Sequence, residues 1–436
     1  MIIFKKILPG EEDSLIRKIN AWTVIIFLTL TGALPAVAAP NSVPQPLAKA
    51  AILMDSETGQ ILYKKNDVQR MYPASTTKIM TTLLALERGS LDDLVTVSRR
   101  AAEIGGSRVG LQPGEQVPMK HLLYILMLSS ANDAGVAIAE HVGGSVEDFA
   151  NIMNDRAREL GARNTNFVNP HGMPDENHYT TARDLALISQ EAMQNATFRQ
   201  IVQTLNYKAE RKKNMSGDLL QQVERLENIY GPVQEDFYNH NKLLGSGYYS
   251  YSGANGIKTG YTVDAGQCIV ASAKRGNREL IAVALNSQGV NLWSDAAMLL
   301  DYGFDNFEPV ALVKPREMIT DAVVKHGARN AVLETASFFY YNFSVNEKPE
   351  VVRSVELSDN INAPLNEGDK LGELVLTAGG GEIGRVPLLA VYPVDRNIYS
   401  YWWFWVGIGL AATLLLLFLK ARLANRRRIR DRIRRR

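Results

Sequence analysis

Three short polar signatures lie in one order along the chain: Ser75-Thr76-Thr77-Lys78, Ser130-Ala131-Asn132 and Lys258-Thr259-Gly260. A serine hydroxyl is a poor nucleophile until a base takes its proton, and a lysine one helical turn away supplies that base without a histidine. Lys78 must be neutral to do so, which calls for burial or a neighbouring positive charge. Lys258 is the candidate for that charge and for attracting an anionic substrate. Ser130 suits a proton relay to the leaving group, and Asn132 can both donate to and accept from a substrate amide. Gly260 permits close backbone approach. The backbone N–H of Ser75, with that of Tyr261, would frame an oxyanion hole. The set points to serine acyl transfer with no metal and no cofactor. Taken singly, each signature has a plain structural reading: Ser75 as a helix N-cap, Lys78 as a solvated lysine, the other two as a loop and a strand-to-turn step. Their order decides against that, and so does the fact that Ser75 opens the chain's only Ser-x-x-Lys.

The flanking patterns supply the elements that must hold these residues. Ala50 to Met54 and Gln60 to Lys64 read as a hairpin around Ser56-Glu57-Thr58-Gly59. Ser75 stands at the start of an apolar-periodic helix through Ile79, Met80, Leu83, Leu84 and Leu86, closed by Gly89, so Ser75 and Lys78 share a face. A second helix runs from His121 and is interrupted at Ser129 to Asn132; Val146 to Leu160 and Ala182 to Met193 continue the helical section. Gly256 to Tyr261, Cys268 to Ala273 and Glu279 to Leu285 read as antiparallel strands, which places Lys258 on a strand. The result is a sheet built from both ends of the domain with helices between. Beyond a boundary near Phe307-Glu308-Pro309, segments at Ala331 to Thr335, Val351 to Leu357, Lys370 to Thr377 and Val386 to Tyr392 predict a small all-β domain.

Both ends of the 436-residue chain carry targeting patterns. Residues 1–39 combine Lys5, Lys6, Arg17 and Lys18 with the apolar run Trp22 to Leu34 and Ala36-Val37-Ala38, a secretory signal peptide. Tyr401 to Leu419 contains no charge and opens with Trp402, Trp403 and Trp405, a membrane span with an interfacial aromatic belt. Lys420 to Arg436 then holds ten Lys or Arg and one Asp, a cytoplasmic tail by the positive-inside rule. The formal net charge of +2 hides an acidic middle, 34 basic against 42 acidic residues from 40 to 419, and no nucleic-acid partner is expected. Cys268 is the only cysteine, so the exported part relies on its core and not on disulfides.

These motifs, with Tyr72-Pro73-Ala74 before Ser75, Leu111-Gln112-Pro113-Gly114, Asn169-Pro170-His171-Gly172, Thr181-Ala182-Arg183-Asp184 and Tyr261-Thr262 after Gly260, resemble low-molecular-mass penicillin-binding proteins of the D-alanyl-D-alanine carboxypeptidase type. The resemblance implies an α+β transpeptidase domain of penicillin-binding-protein and β-lactamase type over 40–306, an all-β domain over 307–395, a transmembrane helix over 400–420 and a basic tail over 421–436. It implies Ser75, Lys78 and Ser130 as catalytic residues and Asn132, Lys258, Thr259, Gly260 and Tyr261 as substrate-binding residues. Ser75 would attack the carbonyl between the last two D-alanines of a peptidoglycan stem pentapeptide, and β-lactams would acylate it. The site would work outside a bacterial cytoplasmic membrane. Two alternatives are a serine β-lactamase and a sensor that binds peptidoglycan or β-lactam without turnover. Against the first, Glu147 and Asn151 mimic a deacylation element but follow Asn132 too closely. The sequence departs from the family in one respect: no arginine lies within Asn286 to Ala297, where the family places one for the terminal carboxylate and this chain has Trp293. Recognition of that carboxylate is left to Lys258 and Thr259, or to Arg278. The charged stretch Lys208 to Glu235 reads as a lid or an added surface loop, and His171 as a structural histidine.

Overall fold

The computed structural model describes residues 42–434; the expected export signal, 1–39, lies outside them. The first hairpin pairs β1 (Ala50–Asp55) with β2 (Ile61–Lys65). A single 3₁₀ turn, Ala74–Thr77, leads into α1 (Lys78–Arg88), which ends at Gly89. Next come β3 (Leu94–Thr96), α2 (Arg99–Glu103), β4 (Gln116–Pro118) and α3 (Met119–Leu128). The break at Ser129 to Ala131 separates α3 from α4 (Asn132–Gly143) and α5 (Val146–Glu159). Helices α6 (Ala182–Gln194) and α7 (Ala196–Gln203) complete the helical layer.

The charged stretch is folded and held down. It forms a two-strand ribbon of β5 (Asn206–Lys208) and β6 (Asp236–Tyr238) that carries α8 (Gly217–Tyr230). Serine at 216 caps that helix by accepting from Leu219 N–H. Three long strands follow, β7 (Ala254–Thr262), β8 (Gly266–Arg275) and β9 (Arg278–Ser287), then α9 (Asn291–Asn306).

The main sheet has the order β2-β1-β9-β8-β7, antiparallel throughout, so the first and last strands of the domain are neighbours and β7 forms one edge. Strict alternation sorts its side chains onto two cores. Ile52, Met54, Val270, Ile281 and Val283 face α1, α3 and α6. Leu53, Ile269, Ala271, Leu280 and Ala282 face α9, where Trp293, Ala296 and Leu300 cover them. With both faces buried, the strands read as near-continuous apolar runs.

The chain passes from α9 directly into β10 (Phe307–Val313), followed by β11 (Met318–Ala322), β12 (Ala331–Thr335), β13 (Phe339–Ser344), β14 (Val351–Leu357), β15 (Lys370–Ala378) and β16 (Gly381–Ala390). Sheet β11-β12-β16-β15-β14 and the pair β10-β13 enclose a core of Leu333, Leu374, Leu376, Val386 and Leu388. A reciprocal amide pair joins the two domains: Gln60 Nε2 donates to Asn342 O at 3.0 Å, and Asn342 N donates to Gln60 Oε1 at 2.7 Å. The last element, α10 (Trp402–Arg434), is a continuous helix of 33 residues. Its apolar side chains, Leu410 and Leu414 to Phe418 among them, stand exposed.

Candidate active site

The 3₁₀ turn presents Ser75 between the helical layer and the sheet. Ala74, just before it, has φ +47°, a left-handed conformation unusual for a residue with a Cβ. The turn fits because glycines stand on both sides. A Cβ on Gly172 would lie 1.8 Å from Ala74 O, and one on Gly260 would lie 2.7 Å from Ser75 N. Edge strand β7 is thereby laid directly against the Ser75 amide.

Lys78, one turn after Ser75, is fully buried. Its Nζ lies 2.9 Å from Ser75 Oγ, 2.9 Å from Asn132 Oδ1 and 2.7 Å from His171 O. Burial holds its pKa well below the usual lysine value, the charge of Lys258 lowers it further, and Asp133 opposes the shift. Lys258, on β7, is also buried; its Nζ donates to Thr259 O at 2.8 Å, and desolvation brings its pKa down to about 7.

Ser130 and Asn132 stand where two helices meet. Ser130 takes φ +59° in the break and is buried, and Asn132 opens α4. The segment Gly105 to Leu111 fixes Asn132 from behind. Asn132 Nδ2 donates to Gly105 O at 2.8 Å and its backbone N donates to Ser107 O at 2.7 Å. Asp133 Oδ2 accepts from Val109 N and Leu111 N at 3.0 and 3.1 Å. The Asn132 amide nitrogen and the Asp133 carboxylate are thus oriented by main chain.

Residues 37–289 match the D-alanyl-D-alanine carboxypeptidase family, and residues 307–396 match the C-terminal domain of penicillin-binding protein 5. The chain belongs to the D-alanyl-D-alanine carboxypeptidase family. D-alanyl-D-alanine carboxypeptidase DacF of Bacillus subtilis strain 168 is 35% identical over 351 residues, 79% of this chain and 85% of the relative. DacC of Escherichia coli strain K12 is 31% identical over 403 residues, 89% and 94% of the two chains. Penicillin binding protein 5 from Haemophilus influenzae superposes with a TM-score of 0.67 at 29% identity, covering 81% of this chain and 99% of that structure. The protein is therefore a serine-type D-Ala-D-Ala carboxypeptidase.

In this carboxypeptidase the expected residues are brought together unevenly. Ser75, Lys78 and Asn132 touch, Lys258 lies within electrostatic reach of Lys78, and Gly260 abuts Ser75. Tyr261 is 60% exposed at the rim of the β7 edge, and Thr259 is partly buried beside it.

Of the candidates for the terminal carboxylate, Arg278 is excluded. Strand register sets Lys258 opposite Val270, and Val270 opposite Val283, five residues along β9 from Arg278. The Arg278 guanidinium is spent elsewhere: its Nη1 donates to Gly303 O and Phe307 O, and its Nε lies 3.6 Å from Asp55 Oδ2. Trp293 belongs to the core between α9 and the opposite face of the sheet. His171 serves through its main-chain oxygen, while its ring Nδ1 accepts from Met173 N at 3.2 Å. Burial and the nearby Lys78 push that imidazole down to about 3. Glu147 is an exposed residue paired with Arg100, and Asn151 is exposed as well.

Sequence reasoning missed three groups that shape the site: the segment Gly105 to Gly110, the buried pair Arg211–Glu115, and His178 behind the 3₁₀ turn. None carries a local signature, since each acts through a contact made only in the folded chain.

Proposed function

We propose that Ser75 is the acylated nucleophile, Lys78 its general base and Ser130 the relay that hands the proton to the departing amine. Asn132 and the β7 edge at Lys258, Thr259, Gly260 and Tyr261 hold the substrate. The observation that carries this reading is Lys78 Nζ, fully buried and 2.9 Å from Ser75 Oγ. A neutral amine has two hydrogens and one lone pair. Donating to Asn132 Oδ1 and His171 O uses the hydrogens, which leaves the lone pair to accept the hydroxyl proton of Ser75.

In the forward step Ser75 Oγ bonds to the carbonyl carbon between the last two D-alanines of a peptidoglycan stem pentapeptide. The developing oxyanion is met by backbone N–H groups of Ser75 and Tyr261. The C–N bond breaks, D-alanine leaves with the proton passed through Ser130, and water then hydrolyses the ester. An edge strand is free to pair with an extended peptide, which suits a substrate lying along β7. Lys258 and Thr259 receive the terminal carboxylate. β-Lactams acylate the same hydroxyl.

On this reading α10 is the membrane anchor. At about 1.5 Å rise per residue its apolar first part spans the roughly 30 Å of a bilayer core, and the arginine-rich remainder lies beyond it. The basic tail supports a reading in which it stays on the cytoplasmic side and the catalytic domain lies on the extracytoplasmic side of the cytoplasmic membrane. Fluorescent penicillin that labels the wild type but not Ser75→Ala, together with D-alanine released from a pentapeptide, tests the reading. Label that persists on Ser75→Ala would overturn it.

A further inference from the structure

A chain of hydrogen bonds runs into the back of the turn that carries Ser75. Val168 N donates to His178 Nδ1 at 3.0 Å. His178 Nε2 lies 2.9 Å from Thr77 Oγ1, and Thr77 Oγ1 donates to Ala74 O at 2.9 Å. His178 and Thr77 are both buried, at 1% and 0% exposure, so water does not compete for these groups.

The direction of the chain is fixed by elementary chemistry. A neutral imidazole that accepts a backbone N–H at Nδ1 must carry its own proton on Nε2. His178 Nε2 is then the donor, the Thr77 hydroxyl accepts it, and the Thr77 proton is committed to Ala74 O. Burial favours this neutral form of His178.

Ala74 O and Ser75 N–H belong to one planar trans peptide and point in opposite directions. Holding the oxygen back toward Thr77 and Gly172 therefore aims the N–H forward, toward β7 at Gly260. The hold matters because the 74–75 peptide plane can turn about Ala74 ψ and Ser75 φ, next to a residue already in the left-handed region at φ +47°. A rotated plane would place a carbonyl oxygen where an oxyanion must form.

We infer that Thr77 and His178 are positioning residues for the oxyanion hole: the relay from His178 through Thr77 to Ala74 O locks the peptide plane whose other end is the Ser75 N–H. This rests on the proposed role of Ser75 and adds to it two residues outside the three signatures' catalytic set.

The test reads the oxyanion hole directly. Wild type, Thr77→Val and Thr77→Ser are acylated with penicillin, and the ester carbonyl band of the acyl-enzyme is recorded by infrared difference spectroscopy. Thr77→Val keeps volume and removes both hydrogen bonds. It is expected to move the band to higher wavenumber and to slow acylation at least about tenfold, with non-covalent penicillin binding little changed. Thr77→Ser is expected to restore both. Slowed acylation with an unshifted band would assign Thr77 to packing and overturn the inference, as would an acylation rate equal to wild type. If Thr77→Val does not fold, the pair His178→Gln and His178→Met decides. Glutamine retains a donor where Nε2 stands and methionine does not, so the band should shift in the second alone; equal bands in both would overturn the inference. Failure of the underlying reading is separately visible, as wild type that forms no acyl-enzyme or as label retained on Ser75→Ala, and the inference falls with it.

Discussion

Arg211 and Glu115, 96 residues apart in sequence, form a side-on pair in which Nε and Nη2 each meet a carboxylate oxygen at 2.9 Å, both side chains fully buried. The other donors of the guanidinium reach Val109 O, Gly110 O and Gln234 O at 3.0 to 3.2 Å. One arginine thus ties the β5–β6 excursion to the segment that orients Asn132 and Asp133. Arg211→Met leaves the Glu115 carboxylate buried without its partner, and a loss of about 3–5 kcal/mol is expected. Urea unfolding of the soluble domain measures it. The double change Arg211→Met with Glu115→Leu should recover a large part, and a single variant as stable as wild type would show that the pair bears no load.

A pH dependence follows from the two buried lysines on the proposed roles. Lys78 must be neutral to accept the Ser75 proton, so acylation by penicillin should fall as pH drops through its lowered pKa. Part of that lowering comes from the Lys258 charge. Lys258→Gln should therefore raise the pKa of Lys78 and move the acidic limb of the acylation profile to higher pH. On the alkaline side, Lys258 loses its charge above about 7, which weakens binding of the substrate carboxylate and raises KM before it lowers kcat. An acidic limb that stays in place in Lys258→Gln would show that the two ammonium groups are not coupled.

The residues proposed for acylation could be picked out because their spacing is local: Ser75 and Lys78 are one helical turn apart, and Asn132 lies just past the helix break at Ser129 to Ala131. The main sheet was legible too, since its strands alternate between two apolar cores. Within the second domain, β10, β11 and β13 escaped notice. Pro309 interrupts the first, and the others mix Asp321, Thr320 and Asn342 into short, half-exposed runs. Arg211 reads in sequence as one charge among Lys208, Glu210, Lys212 and Lys213, and nothing marks it for burial against Glu115. The same holds for His178, whose partners Val168 and Thr77 are joined to it by tertiary structure alone. Arg278 illustrates the converse: a substrate contact depended on its strand bringing it close to Lys258, and antiparallel register carries it to the far end of the strand.

Acid should destabilise the helical layer through two histidines. His171 and His178 are held down to about 3 and about 4 by burial, against about 6.5 in an unfolded chain. Between those values the unfolded state binds protons that the folded state does not, so stability is full above about 6.5 and is lost as pH falls toward the folded values. Each imidazole contributes about 1.4 kcal/mol per pH unit over that window. Urea midpoints of the soluble domain should fall from pH 7 to pH 5, and His178→Gln should flatten the slope. An unchanged slope would place the acid sensitivity elsewhere.

The C-terminal helix should be separable from catalysis. Its apolar side chains, Trp402, Leu410 and Leu414 to Phe418 among them, are exposed, so the folded domains gain little from their burial. In water that surface is a liability, and in a bilayer it is matched by the lipid. A chain ending at Asn397 is expected to leave the membrane fraction and to keep the acylation rate and the unfolding midpoint of the full-length enzyme in detergent. Activity on soluble pentapeptide should likewise persist, while activity on intact cell wall should drop because the enzyme is no longer held at the surface where that wall is built. A truncated chain that remains with membranes would locate the anchor outside α10, and one that loses acylation would show that the helix supports the active site.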